Sequence, residues 1–522
     1  GGVMISGKVF EEIRNHPGIK VEAFGEHDLK NVFNPISIFA LANEGLSVPE
    51  QSYIQGITGS HKNSVAVLPF ANFSPNPENE YFSDGITEEI INALVKLDGL
   101  QVPSRTSVFA YKNTNKDIRE IGKELNVATV LEGSVRQSGN KIRVTAQLIN
   151  TDDGFHIWSE NYDGEMKDIF KVQDEISQKI AEKLEQNFEF NATRVFYEAS
   201  TDSVVAYNHY LQGLYYWNKR TPEAVLKAIE CYQKAIRKCK TYTKAYSGLA
   251  NCYSFLGVIG HLKGKVAFTK AEKFAVKALE LNDFRGGSFV SLGFVDLFYK
   301  WDFDSAEANF RKAITMEPNN EEARLALATY YRIIGDVDRM YHHTKAAIKI
   351  APVSLPALLQ HAHSLMITEK HKKALDLFDR ILELDPLFRP ALEGIALVHV
   401  FEKKYDKAIR AVKKYLDLID LDYKDGTQLG YIAALKGNIK LAEENLKILQ
   451  KREESNPDLN LCLDYAVIYA ALGKTDIAFD YLNKAVDEKL GSVLLIKTIF
   501  PFDMLKSDVR YGQLLERMGL NP

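Results

Sequence analysis

A 34-residue period constrains this chain more than any other feature. Ala328, Ala362, Ala396 and Gly430 stand 34 residues apart, and Met340, Ala374, Ala408 and Ala442 repeat the interval further along each unit. Pro352 and Pro386 close two of the units. Held over four units without insertion or deletion, such a period calls for two helices per unit. They cross closely at the small residues and bury their apolar stripes by stacking on the next unit. A generic helical bundle has no reason to keep this phase. Looser copies lie around Gly213/Ala228, Ala250/Ala271 and Gly293/Ala306, the last closing at Pro318, and around Ala466/Ala478. The expectation is an all-α solenoid of about eight units over residues 203–520.

The pattern resembles the tetratricopeptide repeat. The resemblance implies that the first helix of each unit lines a concave face. The expected partner groove then includes Leu325, Arg332, His363, Met366, Val400, Phe401 and Tyr431. The Lys/Asn clamp that grips a terminal carboxylate in chaperone-binding relatives is absent. An apolar floor with Met and aromatic side chains suits an amphipathic helix or an extended apolar peptide. The alternative is that these side chains pack against neighbouring repeats or a second copy of the chain.

Residues 64–190 have a different rhythm. Ser64–Pro69 is a short apolar run ended by proline, a buried strand. Ile86, Ile90, Ile91, Leu94 and Leu97 give the next segment one apolar helical face, with Asp84, Glu88 and Glu89 near its start. Val127–Gln137 and Lys141–Ile149 read as a hairpin turning at Gly139-Asn140. Ile142, Val144, Ala146 and Leu148 alternate with Lys141, Arg143, Thr145 and Gln147, so one side of the sheet is polar. His156–Tyr162 is a further strand, and a helix over about 168–186 leads into the repeats. Trp158, Tyr162 and Phe155 either line a pocket or form a core-packed aromatic strand.

This region resembles the TolB-like domain of bacterial multidomain proteins. The carrying residues are Val65–Phe70, Tyr81–Gly85, Leu131–Arg136, Ala146–Ile149 and Ile157–Glu160. The resemblance implies a small α/β sandwich and no defined chemistry. Residues 1–42 resemble the end of a class III adenylate/guanylate cyclase catalytic domain, through Gly2–Ser6, Phe24–Glu26, Leu29–Asn31 and Pro35–Phe39. Lys30 matches a lysine that reaches the substrate triphosphate in that family, or it is a solvated strand-end lysine. Asn31 stands where the family has glycine. The carboxylates that hold Mg or Mn, and the groups that read the purine, lie upstream in the family. The resemblance therefore implies a regulatory part of a longer cyclase, itself without catalytic residues or cofactor, whose parent acts as a dimer on ATP or GTP. Residues 43–63, with four glycine or proline positions among polar residues, read as a linker.

The chain is thus expected to be multidomain: an α/β cyclase tail, a TolB-like α/β domain and a repeat solenoid. A formal charge of −4 over 522 residues argues against a basic nucleic-acid binder. No apolar run reaches membrane-span length, and a cytoplasmic setting is expected. Cys231, Cys239, Cys252 and Cys462 have no metal-ligand spacing. His342, His343, His361 and His363 lack a converging third ligand. A non-catalytic scaffold or transcription-regulator-like protein is the other functional class open to this architecture.

Overall fold

The computed structural model describes residues 3–14, 16, 18–27, 36–43, 46, 63–76, 79–95, 97, 100–187, 201, 203–281, 286–418, 426–455 and 460–521. Lys30 and its neighbours Leu29 and Asn31 lie outside the described residues.

Strands β1 (Met4–Ser6), β2 (Val21–His27) and β3 (Ile36–Leu41) form an antiparallel sheet in the order β1-β3-β2. The Ser6 hydroxyl caps a short helix, Gly7–Ile13, by accepting from the Val9 amide. Phe10 of that helix stacks on Phe39 with ring centroids 4.1 Å apart.

The second sheet holds β4 (Val65–Val67), β5 (Ala71–Asn72), β6 (Thr129–Ser138), β7 (Lys141–Asn150) and β8 (His156–Glu165). Its main path is β4-β6-β7-β8, with β5 also pairing β6. β4 runs parallel to β6, so the chain must cross over between them, and the helices Glu80–Leu94, Arg105–Phe109 and Ile118–Leu125 make that crossover. β4 is buried at all three positions, as a strand covered on both faces requires. Gly139 supplies the positive φ of the β6–β7 turn. Ile142, Val144, Ala146 and Leu148 are buried, while Lys141 and Arg143 are exposed and Arg143 pairs with Asp163 across β8 at 2.6 Å. The core-packed reading holds for two of the three aromatics: Tyr162 enters the core and Trp158, its indole N–H on Glu160, packs half-buried against it, whereas Phe155 is 73% exposed.

Gly133 marks the tightest approach in this sheet. A Cβ there would meet the Thr145 carbonyl oxygen at 2.3 Å and the Phe70 ring at 2.8 Å. Because the obstacle is backbone, Gly133→Ala is expected to destabilise the α/β region by about 1–3 kcal/mol, measured as a lowered thermal midpoint.

From Val204 onward the described residues form helix pairs: Val204–Trp217 with Pro222–Lys238, Thr243–Val258 with Gly264–Glu280, Gly286–Val295 with Phe303–Met316, and Glu321–Ile334 with Val337–Ile350. They continue as Leu355–Ile367 with His371–Leu384, Arg389–Phe401 with Tyr405–Leu418, Gly426–Leu435 with Ile439–Ser455, and Cys462–Ala471 with Thr475–Asp487. Ser203, Thr221, Asp302, Asn320, Asp336 and Ser354 cap six of these helices through their side chains. The recurring small residues sit where helices touch: a Cβ on Gly430 would meet Ile468 of the next pair at 2.8 Å and the Asn445 Cβ of its own pair at 2.9 Å. The Gly286–Val295 helix runs on as a π-turn, Asp296–Lys300.

The pairing stops at Asp487, short of the expected limit at 520. Beyond it lie two 3₁₀ segments, Gly491–Lys497 and Phe500–Leu505, and a helix, Val509–Arg517. Pro501 removes a donor, and Val493–Ile496 is apolar without a helical stripe, so this stretch cannot form another unit.

The α/β region and the first repeats share one core. Gly85 lies against Leu211, and Phe170 meets Tyr207 edge-on at 4.9 Å. Among the described residues, no helix is long and apolar enough to cross a membrane.

Candidate functional site

The post-repeat tail packs on first helices of the pairs, Glu321–Ile334 and Cys462–Ala471 among them. Val493, Leu494 and Ile496 are fully buried and belong to the same core as the first four pairs and the last. Gly491 rests against Phe298 of the π-turn, and Lys489 sits over the Trp301 ring at 5.2 Å. The Lys497 ammonium donates to the Ile334 carbonyl at 3.1 Å and to the Asn521 carbonyl at 3.0 Å. The Ile334 carbonyl ends the Glu321–Ile334 helix, where a cation is favoured. Phe500 then lies on Phe401, with centroids 3.9 Å apart. The solenoid therefore closes on itself, its last residues packed on its middle.

The expected groove residues divide between two roles. Leu325 is buried with Ala347 and Ala357, between its own unit and the next. Met366 belongs to a small core of the two following units, and Val400 and Tyr431 to another. These four side chains hold repeats together. Arg332, His363 and Phe401 stay partly accessible. Arg332 Nε donates to the Thr498 hydroxyl at 3.2 Å, and Phe401 meets Phe500. His363 stands edge-on to Phe378 at 5.9 Å, close enough to Arg332 to feel its charge. The structure thus brings Arg332 and Phe401 to the tail. Thr498, Lys497 and Phe500, which complete this face, were not among the residues read from the repeat phase. The apolar run Val493–Ile496 followed by Phe500-Pro501-Phe502 was the signal that the tail needed a buried home.

The electrostatics here are set by burial. Desolvation pulls the Arg332 guanidinium down to about 10 and, with the Arg332 charge, pushes His363 down to about 3, so the imidazole is neutral at pH 7. Burial also lowers Lys497. His343 and His361 fall likewise, to about 3 and about 4, by desolvation first. None of the four cysteines forms a disulfide among the described residues, and burial raises the thiols of Cys231, Cys252 and Cys462. They are poor thiolate nucleophiles.

A second polar cluster sits where the α/β region meets the solenoid. Arg105 pairs with Glu88 at 2.8 Å, and Asn218 donates to Glu88 at 3.1 Å. Lys244 pairs with Glu89. Glu321 accepts from Ser104 of the α/β region at 3.1 Å and from Ser354 of the next repeat. Burial raises the Glu88 and Glu321 carboxyls and lowers Arg105. Every one of these pairs crosses between elements that must move together.

Comparison with known proteins fits this division. Residues 60–179 match a family described as HilA/YgeH-like transcriptional regulator, second domain. Residues 300–381 match the family of anaphase-promoting complex, cyclosome, subunit 3. The chain is 42% identical over 186 residues to a Rhizobium meliloti (strain 1021) protein named "Putative adenylate cyclase 3", covering 35% of this chain and 32% of that protein. It is 25% identical over 288 residues to human tetratricopeptide repeat protein 21A, covering 53% of this chain and 20% of that protein. The chain thus spans a third or less of the length of these relatives. Among solved structures, a human IFIT1 dimer with m7Gppp-AAAA is similar at 16% identity and a TM-score of 0.39, covering 61% of this chain and 77% of that one. YrrB, described as a TPR protein with an unusual peptide-binding site, is similar at 21% identity and a TM-score of 0.24, covering 37% and 96%. Overlap at those scores is partial. The sequence matches and the helix pairs together make the helical part a tetratricopeptide-type repeat array, and a third of the chain is homologous to a protein named as an adenylate cyclase.

Proposed function

We propose that this chain is the regulatory, protein-binding arm of a class III nucleotide cyclase. The intact cytoplasmic protein would convert ATP or GTP to the cyclic nucleotide and pyrophosphate, as a dimer through its cyclase domain. Residues 1–42 would end that domain, Lys30 reaching the triphosphate. The TolB-like region would pass partner binding at the repeats to the cyclase. The observation that carries this reading is the shared core of the α/β region and the solenoid, tied by the Lys244–Glu89 pair and the Asn218–Glu88 hydrogen bond. A load on the repeats is then transmitted and not absorbed by a linker. The 42% identity to the named cyclase supports it. Among the described residues, no group of three His, Cys, Asp or Glu could hold a metal ion. In this reading Mg or Mn is held by carboxylates of the intact cyclase domain and not by these side chains.

The test is cyclic-nucleotide production by the full-length protein that carries this chain, with Mn²⁺ or Mg²⁺ and ATP or GTP, beside residues 1–522 alone. Activity is expected in the first and none in the second. Folded full-length protein inactive with both metals and both nucleotides would defeat the cyclase reading. The match over 60–179 to a transcriptional-regulator domain favours, as second reading, a non-catalytic regulator. That reading predicts DNA binding by the full-length protein and no nucleotide turnover.

A further inference from the structure

Charge is unevenly placed along this chain. Residues 219–279 hold thirteen Lys or Arg and three Asp or Glu, a net of +10 in a chain whose total is −4. The rest of the chain therefore carries −14. The excess sits on the second helices of the first two pairs. On Pro222–Lys238, Lys227, Lys234, Arg237 and Lys238 are exposed. On Gly264–Glu280, Lys265, Lys270, Lys273 and Lys277 are exposed along one face, with Ala267, Ala271, Ala275 and Ala278 buried on the other. Among the described residues, Lys277 alone of these eight has an acid at ion-pair distance, Glu280 at 3.0 Å. Both helices pack on Thr243–Val258, and the first helices Val204–Trp217 and Thr243–Val258 touch each other. The two second helices thus form the other layer of the array. Aliphatic side chains stand among the bases. Leu226, Ile259, Val266 and Val276 are 40–46% exposed, and the two valines share the lysine face of Gly264–Glu280.

Like charges crowded without acids repel one another and add nothing to the fold, so a negative surface outside the chain is the natural complement. We propose that this layer docks on an anionic lipid surface, its lysines at the headgroups and its aliphatic side chains at the acyl boundary. Three observations favour lipid over nucleic acid or an acidic peptide. Seven of the eight bases are lysine, a flexible and hydrated point charge that suits a diffuse surface, whereas one bound phosphate or carboxylate calls for the arginine fork. No aromatic side chain in residues 215–279 is exposed, so nucleobases have nothing to stack on. Exposed aliphatic groups gain nothing from a phosphate backbone and do gain from the acyl boundary. Attachment is peripheral, since among the described residues no helix is long and apolar enough to cross a membrane. The inference does not rest on the cyclase reading. Its test reads no nucleotide turnover, so either can fail alone.

The chain is sedimented with vesicles of phosphatidylcholine, alone or with about 30% phosphatidylserine, at about 0.1 M and about 0.5 M NaCl. Binding is expected on the phosphatidylserine vesicles at low salt, weaker at high salt, and absent on phosphatidylcholine. Lys265→Glu with Lys273→Glu is expected to weaken it about tenfold or more. Lys372→Glu with Lys373→Glu makes the same charge change on exposed lysines of the His371–Leu384 helix and is expected to stay within about twofold of wild type. Ile259→Ser with Val266→Ser leaves the charge alone and is expected to lower binding about fivefold. All these side chains are exposed, and unchanged thermal midpoints check that the variants fold. A single-stranded oligonucleotide of about twenty residues and polyglutamate are offered in parallel. Wild-type protein that ignores phosphatidylserine vesicles would overturn the proposal. So would equal losses from the two lysine pairs, no loss from the aliphatic pair, or tighter binding to the oligonucleotide or polyglutamate than to the vesicles.

Discussion

Arg105→Met is expected to destabilise the protein by about 3–5 kcal/mol, the cost of leaving a buried partner charge alone. The charge left behind is Glu88, enclosed between the Glu80–Leu94 helix and the first repeat. Asn218 still donates to it, but one amide N–H does not replace a guanidinium. The pH dependence has a definite sign. Burial already holds the Glu88 carboxyl above its ordinary value, and Arg105 is the largest influence opposing that rise. Without Arg105 the native carboxyl rises further, while the unfolded value stays put. The variant therefore keeps wild-type-like stability below the unfolded glutamate pKa and loses it as pH rises through the raised native one. Denaturation of wild type and variant at about pH 4.5 and about pH 8 is expected to show the deficit shrinking at the lower pH. Adding Glu88→Gln to Arg105→Met is expected to recover most of the loss at pH 8. A deficit that is the same at both pH values would mean that Arg105 acts through its stacking on Phe109, 3.6 Å below its guanidinium, and not through Glu88.

Phe502→Ala is expected to cost a similar amount, about 3–5 kcal/mol, because Phe502 is fully buried and its loss leaves a large cavity. Its place in the tail makes the consequence directional. Phe502 follows Phe500 and Pro501, so loosening it frees the Phe401 contact and the Thr498–Arg332 bond before any repeat unfolds. Hydrogen exchange should therefore speed up first in 491–505 and at the end of the Glu321–Ile334 helix, leaving the Val204–Lys238 pair protected. Uniform acceleration along the solenoid would show that the tail has no separate role in closing it.

Much of this architecture was legible in the sequence, for local reasons. The 34-residue phase follows from small residues at helix crossings, and Gly430 against Asn445 and Ile468 shows the contact that imposes it. The alternation in Lys141–Ile149 marked the two faces of β7 because the side-chain period of a strand is two. The site was legible in part. Repeat phase identifies which helix lines the concave side, yet it does not say how far a side chain must reach to leave its own unit. Leu325, Met366, Val400 and Tyr431 are consumed by packing between neighbouring units, whereas Arg332 and Phe401 reach the tail. The tail's destination was not legible at all. Val493–Ile496 announces a need for burial, but its acceptor lies some 160 residues earlier, and no periodicity links the two. Phe155 was misplaced for the opposite reason: an aromatic beside a strand has no obligation to be inside.

An open repeat array can gain or lose a unit at little cost, since each unit meets only its neighbours. This one cannot. Lys497 reaches back to Ile334 and Phe500 to Phe401, so the arc between them has a fixed length. Inserting a thirty-four-residue unit after Pro386 would leave the Phe500–Phe401 segment unchanged but carry Lys497 out of reach of Ile334, while satisfying every local rule. The closure also turns folding from a local zipper into a process that must bring together residues more than 160 positions apart, which raises the entropic cost of the final step and slows it. Variation among natural relatives should therefore fall on the outward side chains and leave the repeat number between Ile334 and Lys497 untouched.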